Sequence, residues 1–160
     1  HVVATELMSA EAVVLSEGAT AHALLASSAF PGMFPPVQHG AVRLIDGGVS
    51  ADIPVLQAET LGAELTYVLP AAVSDDRSGV LRGPLAMAYH ALGQILESTA
   101  RRDAAAARGE VHLLPAASSP ATNPLDFSET RRLIEDGYRM ACRWLTDQAR
   151  PTAGTATAHA

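Results

Sequence analysis

The sequence has no lysine: all 11 cations are arginine, set against 17 carboxylates, for a formal charge of −6. Without a basic field there is nothing to hold a phosphate backbone, so nucleic acid is excluded as a partner. Cys142 is the one cysteine, which rules out an intrachain disulfide framework and a multi-cysteine zinc site. Aromatic residues make up only 4% of the chain, so any core is aliphatic, drawn from 31 alanines and from valine and leucine. No apolar run approaches the ~18 residues a membrane helix needs. No charged, apolar and small-residue series of the export type opens the chain. Localisation stays open, with the cytoplasm favoured. The histidines and carboxylates form no ligand-type spacing, so no metal or cofactor is expected.

What is present reads as alternating strands and helices. Residues 2–5 and 13–16 are β-branched apolar runs, neighbours across a tight connection. The chain begins at His1 and goes straight into the first run, which reads as a strand entered at its edge, in the later part of a longer protein. Thr20 is placed to cap a helix that Pro31 stops. Residues 30–36 form a stiff loop with three prolines. Residues 41–45 alternate as a strand that ends at Asp46-Gly47-Gly48. Asp52 is the expected cap of a helix with Pro54 in its first turn, ending near Leu61 at Gly62. Residues 65–69 read as a strand covered on both faces. Pro84 opens a long helix that ends at Gly109, and residues 111–114 form a further buried-type strand. Leu133, Ile134, Tyr138, Cys142 and Leu145 repeat at helical spacing. Residues 150–160 have no apolar period and are expected to be disordered, leaving 1–149 as one folded domain. The alternation predicts an α/β fold in three α/β/α layers around a mainly parallel sheet.

The most informative unit is Leu44-Ile-Asp46-Gly-Gly48. An apolar strand ending in Asp and two glycines sets a carboxylate at a strand's carboxyl edge, where open α/β sheets carry their sites. The glycines let another backbone approach that carboxylate, as a general base requires. The competing reading is an Asx turn in which Asp46 bonds its own backbone.

Taken together, Leu25-Ala-Ser-Ser-Ala-Phe-Pro-Gly-Met-Phe-Pro-Pro-Val37, Asp46-Gly-Gly-Val-Ser-Ala-Asp-Ile-Pro54, Leu61-Gly-Ala63, Tyr67-Val-Leu69 and Asp126-Phe-Ser128 resemble the second half of a bacterial patatin-like phospholipase. The order and separations fit along roughly residues 1–146. The resemblance implies a serine–aspartate dyad acting on a lipid carboxylic ester, without metal. Asp46 carries over as its base, with Gly47 and Gly48 as the supporting turn. The nucleophile does not carry over, because Gly79 and Gly83, the one pair of glycines four apart, flank Leu81 and not a serine. No Gly-x-Gly-x-x-Gly oxyanion loop occurs either. The implied partners are a lipid ester, transient contact with a membrane surface, and the N-terminal part of the same domain or a complementing chain.

Other residues are read more plainly. Ser27 and Ser28 suit helix-end hydrogen bonding, and Ser50 suits turn or cap bonding. His22, His39, His90 and His112 are polar-face or core histidines. Asp75-Asp76 and Glu135-Asp136 are solvated surface. Arg101-Arg102 and Arg131-Arg132 pair with acids along their helices. Cys142 is expected to pack as a small hydrophobe. The leading reading is thus a lipid acyl hydrolase in which this chain supplies the base, and the chain alone is expected to be inactive. The alternatives are a binding or regulatory module of the same fold without a nucleophile, and a two-chain enzyme. If the first strand had lost its neighbours, it would offer an unpaired edge.

Overall fold

The computed structural model describes residues 1–71, 73–74, 83–119 and 127–148. Its elements are β1 (Val2–Glu6), β2 (Ala12–Leu15), α1 (Thr20–Ser27), β3 (Val37–His39), β4 (Val42–Asp46), α2 (Gly48–Ala51), α3 (Val55–Thr60), β5 (Leu65–Val68), β6 (Val73–Ser74), α4 (Pro84–Ala106), β7 (Glu110–Leu113), β8 (Ser118–Ser119) and α5 (Thr130–Gln148). They fall into two units, His1–Thr66 with Leu81–His112 and Tyr67–Val80 with Leu113–Ala160. Residues 150–160, Asp75-Asp76 and Asp126 lie outside the described residues, as does the side chain of His90.

The first unit is built on a four-stranded sheet in the order β2-β1-β4-β3. Every pair in it is antiparallel, which corrects the expectation of a mainly parallel sheet. For two of the three pairs connection length is the reason. Five residues join β1 to β2 and two join β3 to β4, whereas a parallel pair needs a crossover of about a dozen or more. The two-residue turn is possible because Gly40 takes φ +56°. Strand β1 is not an edge: β2 and β4 pair with it on both sides, and the edges are β2 and β3. In the second unit β6 and β8 pair in parallel, Val73 opposite Ser118 and Ser74 opposite Ser119.

Pleat alternation then sorts the side chains of the sheet. Ala4 and Leu44 point to the face where α1 lies and form a small-residue core with Leu15, Ala23 and Ala26, flanked by Val2, Val13 and Val37. The alanines at 23 and 26 let α1 sit close on the sheet. Thr5 points the opposite way, toward α2, and is the one buried polar side chain among the described residues. Helix α2 in turn packs on α4.

Several boundaries differ from the sequence expectation. Thr20 is the first residue of α1 rather than its cap; Ala19 holds the cap position with no side-chain bond. Asp52 does not cap α3 either, because α2 intervenes and Pro54 takes the cap position. Gly62, at φ +95°, ends α3 as expected. Strand β3 directly follows Pro35-Pro36, in a stretch to which the sequence assigns no element. Strand β5 is not covered on both faces, since Leu65 and Tyr67 alternate outward. In the second unit α5 is amphipathic, with no buried residue. Cys142 is exposed rather than packed, because it sits on the flank of an apolar stripe whose Ile134, Tyr138 and Leu145 are themselves exposed.

Candidate functional site

Strand β4 delivers Asp46 at its last residue, and the chain turns at once into α2 through Gly47. The turn is held from below by the end of α1. The Asp46 amide donates to Ala29 O at 3.1 Å and the Gly47 amide to Ser27 O at 3.2 Å. From the other side β1 closes in: a Cβ on Gly47 would lie 2.1 Å from Val3 O and 2.8 Å from Val3 C. Gly47 has an ordinary helical φ of −64°. It is therefore the space, and not the dihedral, that demands glycine. The backbone that comes close here is β1, and what it approaches is the Cα of Gly47.

The carboxylate itself is half-buried and partly engaged. Gly48 N–H donates to Asp46 Oδ1 at 2.8 Å, the Asx-type contact of the competing reading. One oxygen anchors the turn, and the other accepts no hydrogen bond from the described residues. Behind it runs a polar link that the sequence did not announce. Thr5 Oγ1 donates to Asp46 O at 2.7 Å, Ser50 Oγ lies 2.8 Å from Thr5 Oγ1, and Ser50 N–H donates to Thr5 Oγ1 at 3.2 Å. Because Thr5 has one proton, given to Asp46 O, Ser50 must be the hydroxyl donor between the two. Asp52 completes the neighbourhood. A Cβ on Gly48 would lie 3.0 Å from Asp46 Oδ1 and 3.4 Å from Asp52 Oδ1, so the two carboxylates flank one glycine. The Asp52 pKa is raised, first by partial burial and then by the negative charges of Asp46 and Glu97.

The remaining candidates disperse. Ser28 Oγ donates to Leu24 O at 2.8 Å, the expected helix-end bond, while Ser27 lends its carbonyl to Gly47. His112 lies 2.7 Å from Glu110. Arg101 pairs with Glu97 at 2.7 Å, and Arg132 with Glu129 at 2.6 Å and Asp136 at 2.9 Å, as charge spacing along helices predicts. Sequence spacing missed one contact, His22 on α1 with His39 on β3, whose ring nitrogens are 3.3 Å apart. In the second unit, Leu69, Leu114, Leu133 and Ile134 help line an apolar cavity of about 280 Å³ that carries no titratable side chain. Its apolar lining is of the kind that small-molecule sites have; chemistry favours Asp46.

Among the described residues no helix is long and apolar enough to cross a membrane, and no group of three or more His, Cys, Asp or Glu is placed to hold a metal. No curated protein matches the chain. The family match begins past β1 and stops within α3, so Leu61-Gly-Ala63, Tyr67-Val-Leu69 and Asp126-Phe-Ser128 lie outside it. Over residues 8–59, which include α1, β4 and the Asp46 turn, the chain matches the patatin-like phospholipase family model.

Proposed function

We propose that this chain carries the aspartate end of a lipid ester hydrolase. Asp46 serves as general base for a serine held upstream in the same domain or on a complementing chain. The observation that supports this is the turn at Asp46: a strand-end carboxylate fixed by one oxygen, open at the other, within the stretch that matches patatin-like phospholipases. The serine hydroxyl gives its proton to Asp46 as its oxygen attacks the ester carbonyl. The alcohol leaves with a proton, and water then hydrolyses the acyl-enzyme. Gly47 and Gly48 support the turn, and the completed domain has three α/β/α layers.

A base without nucleophile or oxyanion donors is insufficient, since one donor alone is worth ~10²–10³ in rate. The isolated 160-residue chain is therefore expected to turn over no ester. The test is fluorophosphonate labelling of the native protein followed by intact-mass measurement. An adduct on a serine outside this chain, abolished by Asp46→Ala, supports the dyad. A native species of 16.6 kDa that takes no label and has no labelled chain bound to it means a binding module of this fold and overturns the proposal.

A further inference from the structure

His22 is the third residue of α1 and His39 the last of β3, so they stand 17 positions apart and neither spacing nor period links them. The fold nonetheless brings His39 Nδ1 to 3.3 Å from His22 Nε2, with ring centroids 5.5 Å apart and planes tilted by 31°. Both rings hang on fixed backbone. Helix α1 is anchored by Ala23 and Ala26 in the core. Strand β3 is laddered to β4 with His39 opposite Val42, and Gln38 Nε2 holds the turn by donating to Gly40 O at 2.8 Å and Val42 O at 3.1 Å. No carboxylate bonds either ring among the described residues. The contact therefore consists of two imidazole nitrogens within hydrogen-bond distance of each other.

We propose that His22 and His39 form a two-histidine site for a divalent metal of zinc type. Two nitrogens each ~2.0–2.1 Å from one tetrahedral zinc lie about 3.3–3.4 Å apart, so the nitrogens already stand at the separation of two ligands on one ion. On metal binding the donor ring passes its proton to its own far nitrogen, so that both imidazoles stay neutral, and rotation of the rings points both lone pairs at the ion. Water fills the other two positions, because among the described residues the pair belongs to no larger ligand cluster. Such a site is open and exchangeable. It staples α1 to the β3–β4 hairpin, the two elements that carry and brace the Asp46 turn. Zinc and imidazole are suited by borderline softness, where magnesium and calcium would ask for oxygen.

The test is zinc titration of the full 160-residue chain, followed by long-range proton–nitrogen NMR of the histidine rings. The expected result is saturable one-to-one binding that shifts His39 Nδ1 and His22 Nε2 and raises the melting temperature. His22→Gln and His39→Gln should each weaken binding about tenfold or more, since even second-shell partners of a metal ligand are worth 10–100-fold. His112→Gln should leave binding unchanged. Both rings are at the surface, so the variants should melt like the parent in EDTA. Zinc shifts spread over all histidines, or a His39→Gln chain that binds as before, would overturn the proposal.

Discussion

Replacing Gly47 by alanine adds one methyl group at a point where there is no room for it. Its Cβ would stand 2.1 Å from Val3 O and 2.8 Å from Val3 C. Both are backbone atoms of β1, which is laddered on both sides by β2 and β4, so no side-chain rotation relieves the clash. Either β1 shifts or the turn does, and the turn holds the amides of Asp46 and Gly47. The expected loss is about 3 kcal/mol, the upper range for overpacking. At roughly 2–4 °C per kcal/mol for a chain of this length, the melting temperature falls by about 6–12 °C. Gly48→Ala is the control: its Cβ would meet Asp46 Oδ1 at 3.0 Å and Asp52 Oδ1 at 3.4 Å, both ends of side chains that can move. The strained Asx contact is offset by alanine's preference for the helix that starts there, leaving a change within about 1 kcal/mol. Differential scanning fluorimetry and urea titration of the two variants make the comparison. Equal destabilisation, or a Gly47→Ala chain within 1 kcal/mol of the parent, would refute the packing argument.

Thr5→Val keeps the shape but strips the hydroxyl that joins Asp46 O to Ser50, and should cost about 1–3 kcal/mol in urea unfolding. Ala10→Gly should stabilise by about 0.5–1 kcal/mol, because Ala10 holds φ +60° in the β1–β2 turn, a conformation glycine takes without a Cβ penalty. Asp52→Asn should raise the melting temperature at pH 7 by less than about 1 kcal/mol equivalent, the scale of exposed charge interactions. The sign follows from a carboxyl whose folded pKa is raised. Its ionised form opposes folding above that pKa, so acidification stabilises the parent and the variant's advantage should vanish below about pH 4. A difference that grows on acidification would contradict the placement of Asp46 and Glu97 beside it.

The elements fixed by local periodicity were legible: α1, β4, α4 and α5, and the pairing of the first two strands. The short β3 was not, since three residues after two prolines carry no usable alternation. The antiparallel order was readable in principle from the five- and two-residue connections, but strand–helix alternation argued the other way. At the site, Asp46-Gly47-Gly48 announced itself because glycines beside a strand-end carboxylate are a local signal. The link from Thr5 to Asp46 and Ser50 did not, because it depends on a register that sets Ala4 opposite Asp46. The meeting of His22 and His39 was hidden for the same reason: a helix and a hairpin bring it about, not a repeat.

The sheet order also dictates when the Asp46 turn can exist during folding. Strand β1 pairs with β2 across five residues and β3 with β4 across two, so both hairpins close quickly and alone. The seam between them, β1 against β4, joins residues about forty apart and waits on the closure of a long loop. The Val3 carbonyl against Gly47 and the Thr5 hydroxyl on Asp46 O both lie along that seam. The turn is therefore assembled late, when the two halves of the sheet dock. In hydrogen exchange the amides of Asp46 and Gly47 should open with the docking of the halves, while the amides within each hairpin stay protected longer.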